Sequence, residues 1–316
     1  MPPALPRLRL LPKIDAKPFR HGAPWVYANQ LVLDRRTKAI APGSLALLED
    51  ANRNPLGVVA ANPQSKIAAR ILDKPDTSID AAWIETRMHR ALTHRQTLYA
   101  QPFYRLIHAE ADGFPGVIVD RFGDTAVIQP NTAWADSQLV ALSNALTKVN
   151  GITTLYKNAL GRARTLEGLD DTSSFLTGQL DAPVPVTMNQ ATYLADIVGG
   201  QKTGLFYDQR PNHALAAQLA QGGSVLDVFC HGGGFSLAAL AQGATQALAV
   251  DASDKALQLA QEGAQRTGVS DKFATQRGDA FDTLTALAEE GRRFDTVICD
   301  PPAFAPNKSA LDAGLR

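Results

Sequence analysis

The most constraining feature of this chain is a short apolar run that is soon followed by three consecutive glycines. The run covers residues 225–229, the glycines are Gly232, Gly233 and Gly234, and an apolar helical pattern begins at Phe235. An apolar run, a tight turn and a helical period, in this order, predict a buried strand joined to a helix. Because glycine lets a backbone approach a ligand closely, the turn is also a candidate binding site. The pattern therefore indicates one strand–turn–helix unit of an α/β sheet.

Three aspartates follow this turn, each at or shortly after the end of a predicted strand. Asp251 follows the run at residues 247–250, Asp279 follows a third short strand, and Asp300 follows the run at residues 294–299. Ligands of open parallel sheets bind beyond the carboxyl ends of the strands, so we expect these carboxylates to lie near the turn. An acid after the second strand can accept hydrogen bonds from both hydroxyls of a ribose. The pattern therefore predicts a cofactor that contains adenosine.

The glycine spacing argues against a dinucleotide as that cofactor. Gly232-Gly233-Gly234 does not match G-x-G-x-x-G, the pattern that binds a pyrophosphate. S-adenosylmethionine carries a ribose, an adenine, a sulfonium and an amino-acid end, and it has no phosphate. It is therefore the predicted cofactor, and Asp279 is placed to contact its adenine.

The segment Asp300-Pro-Pro-Ala-Phe304 is predicted to hold the acceptor of the methyl group. Its two prolines stiffen the backbone and remove amide donors, which leaves carbonyl oxygens and the Asp300 carboxylate to accept hydrogen bonds from an amino-bearing base. Phe304 can stack on that base. The alternative is that the segment is only a rigid loop after a buried strand.

Three further blocks of sequence carry a resemblance to a known family. They are FRHGAPWVY at residues 19–27, YRLIHAEADGFPGVIVDRFGD at residues 104–124 and GQKTGLFYDQR at residues 200–210. With these blocks the chain resembles the bacterial ribosomal RNA methyltransferases of the large-subunit cytosine-5 type, which are class I S-adenosylmethionine enzymes with an N-terminal PUA domain. The family usually has Tyr-Thr-Gly-Gly-Phe where this chain has His231-Gly-Gly-Gly-Phe235. That exchange affects side-chain contacts at the turn rather than backbone contacts.

The resemblance implies a fold, a reaction and a cofactor clamp. The expected fold is α/β, with a Rossmann-like class I methyltransferase domain at residues 183–316 whose parallel sheet is incomplete. A small β-barrel PUA-like RNA-binding domain at residues 1–75 and a mixed α+β central domain at residues 76–182 precede it. The expected reaction is S-adenosylmethionine-dependent methylation of large-subunit ribosomal RNA, or of its precursor, at cytosine carbon 5. Arg210 is the candidate for binding the cofactor carboxylate, unless Asp208 and Arg210 only cap and pair at a helix start.

The predicted site residues form three groups, and none of them is a metal site. The cofactor group consists of Gln201, Phe206, Arg210, Asp227, Phe229, His231, Gly232, Gly233, Gly234, Asp251, Ala252, Ser253, Asp279, Ala280 and Asp300. The target-base group consists of Asp300, Pro301, Pro302 and Phe304. The RNA group consists of Arg20, Trp25, Arg35, Arg36 and Lys38.

Apolar periodicity and charge support this organisation. Short apolar runs at residues 45–48, 56–60 and 67–72 predict a small β domain, and residues 186–198 resemble a hairpin before the glycine turn. Residues 1–76 hold 12 Lys and Arg against 6 Asp and Glu, whereas residues 183–316 hold 10 against 14. A basic first domain suits phosphate binding, although the excess could instead be a solvated face. We expect residues 1–76 to bind RNA with an affinity that falls as salt rises.

The cysteines limit the chemistry. Methylation of cytosine carbon 5 requires a thiolate to add at carbon 6 first, whereas methylation of an exocyclic nitrogen needs no covalent step. Cys230 and Cys299 both lie in or after apolar strands, where small buried cysteines are ordinary, so neither is predicted to be the nucleophile. Since only four strands of the sheet are visible, we expect a C-terminally truncated chain with the nucleophile beyond Arg316. A guanine methyltransferase, or a non-catalytic RNA-binding protein with an incomplete methyltransferase domain, is the alternative.

Composition places the chain among globular proteins. The 316 residues are 45% hydrophobic, contain two cysteines, and include no apolar run near the length of a membrane span. No apolar signal core follows the N-terminus, so we expect a cytoplasmic protein without a membrane partner. The oligomeric state stays open, with a homodimer as one alternative.

Overall fold

The computed structural model describes residues 5–200 and 203–302. The chain divides into two compact units, Met1–Leu180 and Asp181–Arg316. The boundary lies close to the predicted start of the methyltransferase domain at residue 183, and the separation of residues 1–75 from 76–182 stays a prediction. Within the described ranges, no helix combines the length and apolar character needed to cross a bilayer.

The first unit begins with a five-stranded sheet. Its elements are β1 (Arg7–Arg9), α1 (Lys17–Arg20), β2 (Trp25–Tyr27), α2 (Arg35–Lys38), β3 (Ser44–Glu49), β4 (Pro55–Ala61) and β5 (Ile67–Asp73). The strand order is β1-β3-β4-β5-β2, in which β1 and β3 are parallel and the other neighbours are antiparallel. The three predicted apolar runs form β3, β4 and β5, because Leu48, Val59 and Ala69 pack into one buried core.

A second five-stranded sheet follows in the same unit. Its elements are α3 (Ala81–Leu98), β6 (Phe103–His108), β7 (Val117–Phe122), β8 (Thr125–Pro130), α4 (Ala133–Ser137), α5 (Leu139–Asn150), β9 (Thr154–Lys157), α6 (Arg162–Glu167) and β10 (Ser174–Thr177). The order is β10-β9-β8-β7-β6, with β8 and β9 parallel. Met88 of α3 and Leu142 of α5 join Leu106, Val119 and Ile128 in one core, which holds both helices against the sheet.

Buried contacts join the two sheets of the first unit. Glu167 is 7% exposed, and its carboxylate accepts hydrogen bonds from Asn62 Nδ2 at 2.8 Å and from Arg70 Nη1 at 2.9 Å. Ala60 and Leu72 of the first sheet also belong to the core of the second sheet. A buried carboxylate that lost these partners would be left uncompensated, so the contacts hold the two sheets together.

The second unit contains a hairpin and a parallel sheet. Its elements are β11 (Val184–Met188), β12 (Ala191–Ala195), α7 (Arg210–Leu219), β13 (Ser224–Val228), α8 (Gly234–Ala241), β14 (Gln246–Asp251), α9 (Asp254–Thr267), β15 (Phe273–Arg277), α10 (Ala280–Glu289) and β16 (Thr296–Cys299). Strands β11 and β12 form the predicted hairpin, and the parallel strands lie in the order β15-β14-β13-β16. The α/β prediction is therefore confirmed. The chain leaves β13 toward β14 and returns to its other side at β16, which makes the carboxyl end of β13 a switch point where ligands of such sheets bind.

Candidate functional site

A cavity of about 600 Å³ lies in the second unit, where loops follow the carboxyl ends of β13, β14 and β16. It brings together most residues of the predicted cofactor and target-base groups. Those that line it are Phe206, Phe229, His231, Gly232, Gly234, Asp251, Ala252, Ser253, Asp279, Ala280, Asp300, Pro301 and Pro302. Two further predicted residues, Gln201 and Phe304, lie outside the described residues.

Three predicted cofactor residues do not line this cavity. Asp227 is fully buried, because β13 is the central strand and all of its residues face protein. Gly233 faces the core, since a Cβ at that position would lie 3.1 Å from the Cβ of Ala260. Arg210 begins α7, where its carbonyl oxygen accepts a hydrogen bond from Asn189 Nδ2 at 2.9 Å. That these three residues contact the ligand therefore stays a prediction.

The backbone after β13 turns sharply. Phe229 and His231 have φ values of 63° and 49°, and Gly233 has a φ of 76°. The left-handed region costs an ordinary residue about 1–3 kcal/mol, and such strain clusters at functional sites. The strained turn therefore makes this end of β13 a candidate ligand site.

Gly232 and Gly234 serve different purposes in this turn. A Cβ at Gly232 would meet no atom within 4 Å, whereas a Cβ at Gly234 would lie 2.5 Å from the His213 ring. Gly234 is therefore required by the packing of the protein itself. Gly232 leaves space beside the backbone that a ligand can occupy.

Asp227 supports the turn from inside the sheet. Its Oδ2 accepts hydrogen bonds from the Ser236 N–H at 3.0 Å and from the Ser236 hydroxyl at 2.6 Å, which fixes the start of α8. Its Oδ1 has no hydrogen-bond partner among the described residues. Burial raises the pKa of Asp227 to about 6, and the charges of Asp251 and Asp300 act in the same direction.

Asp251 is held in place by the backbone around it. Its Oδ2 accepts a hydrogen bond from the His231 N–H, and its Oδ1 accepts one from the Ser253 N–H, each at 2.8 Å. A carboxylate offers about four lone-pair sites, so both oxygens can still accept bonds from ligand hydroxyls. The orientation of this acceptor is thus set by the protein before a ligand arrives.

Asp279 and Asp300 place two more acceptors on the cavity. One oxygen of Asp279 caps α10 by accepting from the N–H groups of Phe281 at 2.8 Å and Asp282 at 3.3 Å, and its other oxygen takes no part in the cap. Asp300 accepts a hydrogen bond from Gln209 Nε2 at 2.9 Å through Oδ2. Each aspartate therefore has one oxygen that the protein positions and one that a ligand can use.

The lining residues that sequence reasoning missed include Tyr193, Asp196, His213 and Lys255. The His213 ring stacks on Tyr193 with centroids 6.3 Å apart and meets Phe235 edge-on at 4.5 Å. Burial lowers the pKa of His213 to about 4, so the imidazole is neutral near pH 7. Lys255 forms an ion pair with Asp196. No local pattern links these residues, which come from β12, α7 and α9 and the loop after β12.

The two cysteines differ in exposure. Cys230 lines the cavity but is only 4% exposed, and burial raises the pKa of its thiol, with the charges of Asp227 and Asp251 adding to the rise. Cys299 is exposed, contrary to the expectation of a buried strand residue. The reason is that Val297 and Cys299 share the exposed face of β16, whereas Thr296 and Ile298 on its other face are half-buried.

The predicted RNA residues all lie in the first unit. Arg20 forms an ion pair with Asp50 at 3.0 Å. Trp25 is 40% exposed, and its Nε1 donates a hydrogen bond to Glu110 at 2.8 Å. The remaining three are exposed on α2: Arg35, Arg36 and Lys38.

Two family models match the sequence. A PUA-like domain model matches residues 8–74, which covers the first sheet. A model described as Conserved hypothetical protein 95 matches residues 212–312, which begins within α7 and includes the glycine turn. The first match confirms the predicted PUA-like region.

Solved structures share the fold. A candidate SAM-dependent methyltransferase from Streptococcus mutans has a TM-score of 0.78 at 19% identity, over 98% of this chain and 82% of that one. A candidate methyltransferase solved in complex with SAH also has a TM-score of 0.78, at 20% identity, over 97% of this chain and 78% of that one.

Curated relatives are closer in sequence. The ribosomal RNA large subunit methyltransferase I of Erwinia tasmaniensis is 33% identical over 97% of this chain and 78% of its own length. The proteins of the same name from Shewanella denitrificans and Klebsiella pneumoniae are 34% and 33% identical, over 96% and 98% of this chain and 79% and 78% of their own lengths. The chain therefore belongs to the ribosomal RNA large subunit methyltransferase I family and is an S-adenosylmethionine-dependent methyltransferase.

Proposed function

We propose that this chain methylates a base of large-subunit ribosomal RNA, with carbon 5 of a cytosine as the target atom. The observation that carries the proposal is that Asp251 and Asp300 line one cavity from the strands on either side of β13. A ribose acceptor and a base acceptor in one cavity bring the methyl donor and its acceptor together, which lowers the barrier to transfer. The names of the curated relatives support RNA of the large subunit as the substrate.

The donor set of the cavity fits S-adenosylmethionine. Asp251 would accept hydrogen bonds from the ribose hydroxyls, the second oxygen of Asp279 would accept one from the adenine amino group, and Gly232 would leave room for the ligand beside the turn. The bound cofactor supplies an electrophilic methyl group. The neutral imidazoles of His213 and His231, whose pKa values burial lowers, add no positive charge that would repel the sulfonium.

The Asp300-Pro301-Pro302 segment would orient the base. Gln209 holds one carboxylate oxygen of Asp300, so the other oxygen can accept a hydrogen bond from an exocyclic amino group. The two prolines offer carbonyl oxygens and no competing N–H donor. A base inside a duplex cannot reach such a cavity, so the target nucleotide would have to be unpaired or flipped out.

Methylation at carbon 5 also needs a thiolate. The sulfur forms a bond to carbon 6, carbon 5 then takes the methyl group, and loss of the carbon 5 proton breaks the sulfur–carbon bond again. Cys230 does not suit this role, because its raised thiol pKa keeps it protonated near pH 7. Cys299 is exposed and directly precedes Asp300, so it is the cysteine of this chain that a test must include.

A guanine nitrogen is the second candidate target. Among the described residues that line the cavity, Cys230 is the one cysteine, and burial raises its thiol pKa. Methylation of an exocyclic nitrogen needs no thiolate, and a carboxylate such as that of Asp300 can accept a hydrogen bond from the amino group being methylated.

Product identification distinguishes the candidates. The chain would be incubated with unmodified large-subunit RNA and methyl-labelled S-adenosylmethionine, and the digested RNA analysed for the labelled nucleoside. Label on cytosine carbon 5 supports the first candidate. If Cys299→Ser abolishes that label and the matched control Cys230→Ser retains it, Cys299 is the nucleophile and the prediction of a nucleophile beyond Arg316 is wrong. Label on a guanine nitrogen that survives both substitutions supports the second candidate. RNA binding without any transfer would instead indicate the non-catalytic alternative and overturn both.

A further inference from the structure

The first unit has a concave surface of its own, which we call the arginine groove. It has a volume of about 560 Å³ and lies beside β1, α2 and the turn between β3 and β4. Four arginines line it, namely Arg7, Arg9, Arg36 and Arg53. Its other lining residues are Leu5, Pro6, Val32, Asp34, Thr37, Ile40 and Glu49.

The two carboxylates of the groove are already engaged by the protein. Glu49, whose side chain is 4% exposed, forms an ion pair with Arg7. Asp34 caps α2 by accepting a hydrogen bond from the Thr37 N–H at 2.8 Å. Within the described part of the chain, the other three arginines of the groove form no ion pair with a carboxylate; they are Arg9, Arg36 and Arg53. The groove therefore has an excess of positive charge.

Like charges that share a concave surface repel one another, and a bound anion relieves that repulsion. The guanidinium group offers a fork of N–H donors that matches the oxygens of a phosphate. No aromatic side chain is among the lining residues, so the groove has no platform on which a base could stack. This chemistry fits a phosphodiester backbone rather than a base.

We propose that the arginine groove binds the phosphodiester backbone of the RNA substrate. The inference rests on the proposed function for the identity of the polyanion, and it goes beyond that function by adding a second binding site in the other unit. Because phosphates are the same at every nucleotide, the groove contributes affinity without sequence preference. It holds the substrate while the cavity of the second unit selects the base.

Two neighbouring arginines of α2 provide a matched pair for the test. The sequence predicted RNA contact for both Arg35 and Arg36, and both are exposed, but only Arg36 lines the groove. The proposal therefore assigns the phosphate contact to Arg36 and not to Arg35. Replacement of either residue by alanine removes one positive charge from the same short helix. A difference between the two variants therefore reports on the groove and not on the net charge of the chain.

The experiment measures RNA affinity of the whole chain at several salt concentrations, with an unstructured oligoribonucleotide of mixed sequence as the probe. Each phosphate contact contributes about 0.7 to the slope of log affinity against log salt for a single strand. We expect Arg36→Ala and Arg9→Ala each to lower the slope by about that amount and to weaken binding roughly tenfold at low salt. Arg35→Ala should leave the slope unchanged, and Arg36→Lys should largely restore it because it keeps the charge.

Two further measurements separate the possible failures. The dissociation constant for S-adenosylmethionine should be the same in all variants, which shows that the second unit is intact. Wild-type methyl transfer to ribosomal RNA, together with unchanged salt slopes in Arg9→Ala and Arg36→Ala, would overturn the groove and leave the proposed function standing. An equal loss in Arg35→Ala and Arg36→Ala would also overturn the groove. If the wild type shows no RNA binding and no methyl transfer, both proposals are overturned.

Discussion

The cavity of the second unit and the arginine groove of the first unit have opposite charge. The charged side chains of the cavity are Asp196, Asp208, Asp251, Asp279, Asp300 and Lys255. The groove has four arginines against two carboxylates. Carboxylates accept hydrogen bonds from hydroxyl and amino groups and repel phosphates, whereas arginines attract phosphates. The difference teaches that a chain with no net charge can still contain an acidic site suited to a base and a basic site suited to an RNA backbone.

The largest expected effect concerns the buried acid under the cavity. Burial raises the pKa of Asp227 from 3.8 to about 6. The folded state therefore favours the protonated carboxyl of Asp227. Its contribution to the free energy of unfolding is fully present below about pH 4 and is lost as the pH rises through about 6. A shift of this size corresponds to roughly 3 kcal/mol. The side chain of Asp227→Asn cannot ionise. When urea unfolding is measured between pH 4 and pH 7, this variant should therefore not show the decrease in unfolding free energy that Asp227 causes in the wild type.

The control for this test is Asp254→Asn, which removes an exposed carboxylate at the start of α9. It should keep the wild-type dependence of stability on pH. If the unfolding free energy of Asp227→Asn depends on pH in the same way as that of the wild type, the pKa of Asp227 is not raised by burial. The contrast between the acidic cavity and the basic groove would then lose its buried acid.

The second prediction tests the acceptor that faces the cofactor. Asp251→Ala removes hydrogen bonds from ribose hydroxyls to a charged group, which are worth about 1.5–3 kcal/mol. The dissociation constant for S-adenosylmethionine should therefore rise about tenfold or more in a calorimetric titration. Asp254→Ala, which removes the same charge from an exposed position that does not line the cavity, should leave it unchanged. Equal constants for Asp251→Ala and the wild type would remove Asp251 from the site.

The third prediction separates the shape of the cavity from its charge. In Gly232→Ala the new methyl group meets no protein atom within 4 Å, so stability should be unchanged while cofactor binding weakens by about 1 kcal/mol, or roughly fivefold. In Gly234→Ala the methyl group would lie 2.5 Å from the His213 ring, so the thermal midpoint should fall. Thermal melts and titrations of both variants check the pair. Full cofactor affinity in Gly232→Ala would mean that the ligand does not occupy the space beside the turn.

The sequence predicted the site where local pattern and ligand chemistry coincide. Asp251, Gly232 and Asp300 all follow strands of one parallel sheet, and that topology alone brings them to one edge. Arg210 and Asp227 were also predicted at the ligand, but neither lines the cavity, because packing decides the direction of a side chain at a helix start or in a central strand. Their contact with a ligand stays a prediction. The position of His213 in the sequence did not predict that it lines the cavity, because it reaches the cavity only through the packing of α7 beside α8.

The sequence predicted which region of the chain is basic, but not which basic residues line a common surface. The excess of Lys and Arg in residues 1–76 correctly indicated a basic region, and it could not tell Arg36 in the groove from Arg35 beside it. Arg20 was predicted to contact RNA, but Asp50 pairs with it, and pairing depends on the fold. The roles of these residues in RNA binding, the missing nucleophile and a segment beyond Arg316 stay predictions.

The buried Glu167 cluster has a consequence for how the chain can be divided or recombined. A cut near residue 76 would separate Asn62 and Arg70 from the carboxylate that they contact and would uncover Ala60 and Leu72. A cut near residue 180 follows the division between compact units. The PUA-like region therefore packs as one compact unit with the sheet after it, and a chimera that exchanges this region between relatives should be joined after the second sheet and not after the first.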